Sequence, residues 1–544
     1  MKWKKCIIIF ITGFLLCGCG VSDKISLDTG IISGTQDETA DAVTEFTYEV
    51  PKSTPNVLVD QVGYQTDSVK TAVFRGKNLS DTFQIINAVT GETVYTGTIG
   101  KSISQPVFGE YCAMGTFTDL TTPGTYYIQT AYIGQSYQFK IGDNLYKNIL
   151  NEACLNLYSK RCGINLDPAI AGTAAHQACH LDYVKSSENP EEVYELSGGW
   201  HNDDNYGKDV SEACEVIAPL LLSYELYPAV FDDATGIPES GNNIPDILDE
   251  VRYEVDWLLK MQDAKTGGVY EGVTQVKDSA FSLKTSKDDG TGEDNGTISP
   301  DQDESEYELL PVSLEATEEF IAILSKFAYS YKNYDTQFAS QCLTAAEKAW
   351  KSIDARNLKN TEDEYFFAAA ELYRSIGRST YRNEVTQYLE REDLATVTTN
   401  HRYYGTLTYF MTKFHVDVDV CTKQMKLIMN EGEEIASSAN DNRYGICLTK
   451  GYALDNIVSA AAKLTVVEHV ITNHEYAMVI ESHLHYFLGE NTDGVSYVRN
   501  YGTKMSDGIY MDKTSLRNAE FILVLSEVIN AASQDSKSVT DLIE

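Results

Sequence analysis

Gly198-Gly199-Trp200-His201-Asn202-Asp203-Asp204-Asn205-Tyr206-Gly207 is a polar loop framed by glycines, set in the half of the chain where apolar residues recur at helical spacing. Asp203, Asp204 and Asn205 are of the type that binds loop amides, and they are expected to do so and to cap a helix beginning near Asp209. Downstream, Leu248, Val251, Val255, Leu258 and Leu259 form one apolar stripe, with Pro245 near its start. Phe320, Ile323, Leu324, Phe327 and Tyr331 repeat the pattern, and a third helix around Phe366 to Ile376 is expected to end at Gly377. From Asn144 onward this spacing persists without intervening strands, which predicts an all-α domain. Residues 277–308, rich in Asp, Gly, Ser and Glu, interrupt it and read as a long solvated loop.

Upstream the period changes from helical to two. Val57-Leu58-Val59, Thr71-Ala72-Val73-Phe74, Thr82-Phe83-Gln84-Ile85-Ile86 and Gly124-Thr125-Tyr126-Tyr127-Ile128 are short runs separated by turn signals, the pattern of a small β-sandwich. Before them, Lys2, Lys4 and Lys5 precede an apolar run from Ile7 to Leu16 that is too short to span a bilayer and fits a signal peptide. It ends in Leu16-Cys17-Gly18-Cys19, which looks like a bacterial lipobox with Cys19 as the lipidated residue. The expected division is therefore 1–18 signal peptide, 19–53 disordered tether, 54–143 β-sandwich and 144–535 helical domain. No later segment is apolar enough to span a membrane, so the expected location is extracytoplasmic, held to the cell membrane by lipid alone.

The 544 residues, 43% hydrophobic and 23% charged, suit a multidomain globular protein. A formal net charge of −37 repels nucleic acid and anionic membrane surfaces, which leaves neutral ligands or cations as partners.

Taken together, the opening loop, Tyr158 to Gly163, Ala178 to Asp182, Ile244 to Glu250, Trp257 to Gln262, Ser313 to Thr317 and Tyr486 to Asn491 resemble glycoside hydrolase family nine, in that family's order. Val59 to Tyr64 and Asp119 to Tyr127 resemble the immunoglobulin-like module of one branch of it. The resemblance implies an immunoglobulin-like β-sandwich followed by an (α/α)6 toroid, and inverting hydrolysis of β-1,4-glucan-type polysaccharide. Inversion needs an acid and a base carboxylate roughly 6.5–9.5 Å apart. The family's two signature aspartates fall at Asn202 and Asn205, whose neutral amides cannot accept a proton at useful pH. Asp203 and Asp204 are the candidates to replace the base, and Glu520 matches the acid.

Among candidate sugar contacts the match gives Trp200, Tyr206, Asn456 and Tyr497. The family's His-His-Arg group has no counterpart between Gly502 and Ser515. Cys162, Cys179, His180 and His201 match four zinc-binding positions of that branch, two thiolates and two imidazoles suiting a structural site. Disulfide pairing or free thiols is the alternative. Asp246, Asp249 and Glu250 are candidate calcium ligands. Two functions remain open: a monomeric, lipid-anchored glycoside hydrolase, and a non-catalytic carbohydrate-binding or structural protein on the same scaffold.

Overall fold

The computed structural model describes residues 47–203, 205–276, 299–355, 358, 360–391, 394 and 399–541. The signal peptide, Cys19, most of the tether, Asp204 and most of the 277–308 loop lie outside the described residues.

Two sheets make the N-terminal module. Val57–Leu58, Thr71–Arg75, Glu110–Thr116 and Ile103–Gln105 form one, in that spatial order. Gly63–Tyr64, Phe139–Ile141, Gly124–Thr130, Thr82–Asn87 and Thr93–Thr98 form the other. Alternation along Thr82–Asn87 explains the packing: Phe83 and Ile85 are buried while Thr82 and Gln84 are exposed. The Phe83 ring lies over Gly97 and Gly115, where an added Cβ would stand 2.3 and 2.8 Å from it, so glycine at both positions makes room for the aromatic.

Among the described residues, twelve longer helices follow. They are α1 (Lys147–Tyr158), α2 (Val210–Leu226), α3 (Asp246–Lys260), α4 (Leu314–Tyr331), α5 (Thr336–Trp350) and α6 (Glu362–Ile376). The second half contains α7 (Ser379–Leu389), α8 (Asn400–Met411), α9 (Val418–Asn440), α10 (Leu454–Val470), α11 (His474–Leu488) and α12 (Ser515–Asp541). The even-numbered helices follow one another round an inner ring, with Tyr403 of α8 donating to Lys463 O of α10 and α12 closing onto α2, and the odd-numbered ones flank them. The result is the (α/α)6 toroid behind an immunoglobulin-like sandwich.

The stripes foreseen from spacing face the core, with Leu259 half-buried at the edge of its own. Phe320, Ile323, Leu324, Phe327 and Tyr331 are at most 1% exposed, and each such large side chain contributes about 1.5–3 kcal/mol by leaving water. Helix α6 stops at Gly377, which adopts the left-handed φ of 78° while its N–H donates to Tyr373 O. The end of the 277–308 loop departs from expectation. Residues 300–302 form a helical turn, and Tyr307–Leu309 joins a sheet between Val184–Ser186 and Gly272–Gln275. Tyr307 and Leu309 supply the apolar anchor, Leu309 being buried.

The module is joined to the toroid by buried polar groups. The Asp60 carboxylate accepts from Val62 N–H and Gly63 N–H at 2.8 and 2.9 Å, and lies 3.0 Å from His485 Nδ1 in α11. Burial alone would depress the His485 pKa, but Asp60 holds it up to about 9. Tyr64 donates to Glu490 Oε1 at 2.7 Å, and Gln61 N–H donates to Leu488 O at 3.0 Å. The Val59 to Tyr64 motif is thus an interface as well as a strand.

No helix among the described residues is long and apolar enough to cross a membrane.

Candidate functional site

The Gly198–Gly207 loop runs between Cys162 and the start of α2. Cys162 N–H donates to Gly199 O at 2.7 Å and His201 N–H to Lys160 O at 2.8 Å, so the loop is stitched to the chain after α1. Gly199 has φ of 74°, and a Cβ there would meet the Trp257 ring at 2.7 Å, which excludes other residues.

Four side chains converge at this stitch. Cys162 Sγ lies 3.9 Å from Cys179 Sγ and 3.7 Å from His180 Nδ1. Cys179 Sγ is 3.6 Å from His201 Nε2, which is 3.3 Å from His180 Nδ1. A tetrahedral ion with metal–sulfur bonds of about 2.3 Å and metal–nitrogen bonds of about 2.0–2.1 Å requires edges of about 3.8, 3.6 and 3.3 Å for S–S, S–N and N–N. The observed edges fit. A sulfur separation of 3.9 Å is also far beyond a disulfide bond, and both cysteines are free. Hydrogen bonding from Cys179 pushes the Cys162 thiol well below its usual pKa against the effect of burial, with His180 and His201 acting in the same direction. Burial keeps His201 neutral, the form that can ligate. Asp303, from the acidic segment, stands 3.5 Å from His180 Nε2 and orients it. Composition gave no local signal for Asp303.

The two asparagines of the loop are occupied by backbone. Asn202 Oδ1 accepts from Asp209 N–H at 2.9 Å, and Asn205 Oδ1 accepts from Gly207 N–H at 2.6 Å. Asp209 itself caps α2 by accepting from Glu212 N–H. Asp203 therefore does not cap that helix, contrary to the expectation from sequence. It reaches α12, accepting from Ser515 N–H at 2.9 Å and Ser515 Oγ at 2.7 Å, and pairs with Lys160 at 2.9 Å. Burial would raise its pKa, but Lys160 and Ser515 outweigh that and hold it below the ordinary carboxylate value. A carboxylate so engaged and so acidic is a poor general base. Asp204 lies outside the described residues.

The Asp203–Ser515 bond also sets the first turn of α12 against the loop, and Glu520 sits in the second turn. It is 5% exposed, and burial pushes its pKa up to about 7, opposed by Ser459 and Lys463. That is the environment a general acid needs near neutrality. Asn456 and these same two residues, Ser459 and Lys463, line a cavity of about 280 Å³, so Glu520 and Asn456 share a neighbourhood. Asn456 Nδ2 donates to Lys450 O at 2.8 Å. Tyr206 packs on His201 at 5.2 Å between ring centres and lines a second cavity, of about 360 Å³, with His180, Asp303 and Tyr307.

Two candidate sugar contacts are scaffold instead. Trp200 is buried, with its indole N–H donating to Glu250 Oε1 at 2.8 Å and its backbone N–H to Glu254 Oε2. Tyr497 is buried against Tyr486, with its hydroxyl on Asp493 at 3.0 Å. The calcium set is also corrected, because its members face different partners. Asp246 accepts from Thr235 N–H and Ser240 Oγ, Asp249 from Asn242 Nδ2, and Glu250 from Arg161 and Trp200. Arg161, which joins Glu250 to Glu239, went unrecognised because its partners lie 89 and 78 residues away.

A twelve-helix toroid, a polar loop with a tetrahedral Cys2His2 cluster at its base and a buried carboxylic acid on α12, the helix that the loop holds through Asp203, define a six-hairpin glycosidase-type protein. The family model for glycosyl hydrolase family 9 matches residues 146–536, and that for the cellulase N-terminal ig-like domain matches residues 52–135. The chain belongs to glycosyl hydrolase family 9.

It is 24% identical over 477 residues to endoglucanase D of Acetivibrio thermocellus, covering 82% of this chain and 73% of that protein. To a xyloglucan-specific endo-beta-1,4-glucanase of Bacteroides ovatus it is 27% identical over 390 residues, covering 65% and 62%. A metagenome-derived family 9 endoglucanase shares its fold with a TM-score of 0.76 at 24% identity, over 87% of this chain and 99% of that one. A Zn-binding triple mutant of another family 9 endoglucanase superposes with a TM-score of 0.72 at 21% identity, over 85% and 99%.

Proposed function

We propose that this protein binds β-1,4-glucan-type oligosaccharides at the end of the toroid where the Gly198–Gly207 loop meets α12, and that hydrolysis there is strongly diminished. One observation carries the proposal: neither signature position holds a carboxylate, and the neighbouring Asp203 is committed to Ser515 and Lys160. Loss of a general base lowers the rate by about 10²–10⁴-fold. Relatives described as endoglucanases and a cellodextrinase support the glucan class.

The competing reading, an active inverting hydrolase, draws support from Glu520, whose raised pKa suits a proton donor. Purified protein incubated with cello-oligosaccharides and xyloglucan fragments separates the two, with binding measured by calorimetry and product by reducing ends. Binding without product is expected; product abolished by Glu520→Gln would overturn the diminished reading. Zinc held by Cys162, Cys179, His180 and His201 would supply structure, tying the loop to the chain after α1. Lipid attachment through Cys19 is the companion proposal for location, and Cys19→Ala should move the protein from the membrane to the soluble fraction.

A further inference from the structure

The inner ring carries a second cluster beside Glu520, whose carboxyl one member, Glu215, helps to keep neutral. Glu215 lies in the second turn of α2, Glu319 in the second turn of α4, His401 in the first turn of α8 and Glu364 in the first turn of α6. A ligating atom from each of Glu215, Glu319 and His401 falls within 4.8 Å of the other two. His401 Nε2 is 2.9 Å from Glu319 Oε1, and His401 Nδ1 is 3.2 Å from Glu364 Oε1.

Three features mark this cluster as more than an internal ion pair. Glu319 is 2% exposed, and its Oε2 has no hydrogen-bond partner in normal geometry among the described residues, the Ser211 hydroxyl bearing on the carboxyl without closing a bond to it. An unsatisfied buried carboxylate oxygen is costly, and a ligand would relieve the cost. Glu215, Glu319 and His401 also line one small cavity of about 10 Å³, closed off by Ile323, Phe367 and Tyr404, which has room for a single atom. Glu215 is the exposed member of the three. Finally, Glu364 faces the imidazole nitrogen away from Glu319, the arrangement in which a carboxylate orients a metal-bound histidine.

We propose that Glu215, Glu319 and His401 bind one divalent first-row metal ion at the inner face of the toroid, with His401 ligating through Nε2 and Glu364 holding its Nδ1–H. Two carboxylates and one imidazole form a harder set than the Cys2His2 cluster, so zinc goes to the thiolates and this site accepts an ion such as Mn²⁺. The proposal does not depend on whether sugar is hydrolysed.

The test uses the full chain, first given one equivalent of zinc to fill the Cys2His2 cluster, and then titrated with Mn²⁺. Free Mn²⁺ is followed by electron paramagnetic resonance, and ¹⁴N modulation from bound imidazole by pulsed methods. One further equivalent of Mn²⁺ should bind and show nitrogen modulation. Glu319→Gln and His401→Gln should each weaken binding at least tenfold, His401→Gln should abolish the modulation, and zinc content should be unchanged in both. Cys179→Ser should still bind Mn²⁺ with the modulation present. Absence of Mn²⁺ binding below millimolar concentration, or binding unchanged by both substitutions, would overturn the proposal.

Discussion

Glu520→Gln should stabilise the protein at alkaline pH and leave it unchanged at acid pH. The carboxyl has a pKa of about 7 in the folded state, against an ordinary value of 4.5, because burial favours its neutral form. A group whose pKa is raised by folding costs nothing below 4.5, where both states are protonated. The cost grows as pH rises and is complete above about 7, where the folded state must carry a buried anion. Taking about 1.4 kcal/mol for each tenfold change, the displacement from 4.5 to about 7 corresponds to roughly 3 kcal/mol. Glutamine keeps the shape and removes the charge, so it should recover about that amount at pH 8. For a protein of this size the gain appears as roughly a 3 °C higher midpoint. Melting of both forms at pH 4.5, 6 and 8 measures it, and the difference between them cancels the other buried carboxylates, such as Glu254 and Glu318, that titrate in parallel. Equal midpoints at pH 8 would refute the buried, protonated acid, and with it the role of Glu520 as proton donor at neutrality.

Asp203→Ala should cost about 1–2 kcal/mol through loss of the Ser515 cap while leaving any residual hydrolysis unchanged; a specific fall in turnover with unaltered melting would restore Asp203 as a base. Elemental analysis should find one zinc per chain bound by Cys162, Cys179, His180 and His201, and Cys179→Ser or a strong chelator should remove it and lower the melting midpoint. Asp60→Ala should destabilise by about 3–5 kcal/mol at neutral pH by leaving His485 uncompensated. Because His485 is raised from 6.5 to about 9, the pair's contribution is complete below 6.5 and is lost as pH rises through 9, so melting at pH 7 and pH 9.5 should show the gap between variant and wild type closing.

The parts of the structure that could be read from the chain are those encoded locally. Phe320, Ile323 and Leu324 announce an inner helix by spacing alone, Gly377 announces its helix end, and the alternation of Phe83 with Gln84 announces a strand. The metal cluster was legible only through family resemblance, because Cys162 and Cys179 are too far apart to form a local ligand motif. What remained hidden is pairing across long distances. Nothing near Asp203 says that its partner is Ser515, 312 residues on. Trp200 could equally stack on sugar or brace a core, and only the position of Glu250 decides for the brace. His401 is one of nine histidines, yet its carboxylate neighbours come from three other helices.

The joint between sandwich and toroid imposes an order on folding. Asp60 and His485 are 425 residues apart, and Tyr64 and Glu490 are 426 apart, so most of the chain must be synthesised before the module can gain its buried partners. Domains generally fold from the N-terminus during synthesis, and contacts of such separation close late. The module must therefore wait with Asp60 and Gln61 facing solvent until α11 is made and the inner ring closes. A fragment ending before residue 485 would keep the contacts of Asp60 with Tyr146 and of Glu110 with Tyr444, but would lack His485 and Glu490, the buried partners of Asp60 and Tyr64.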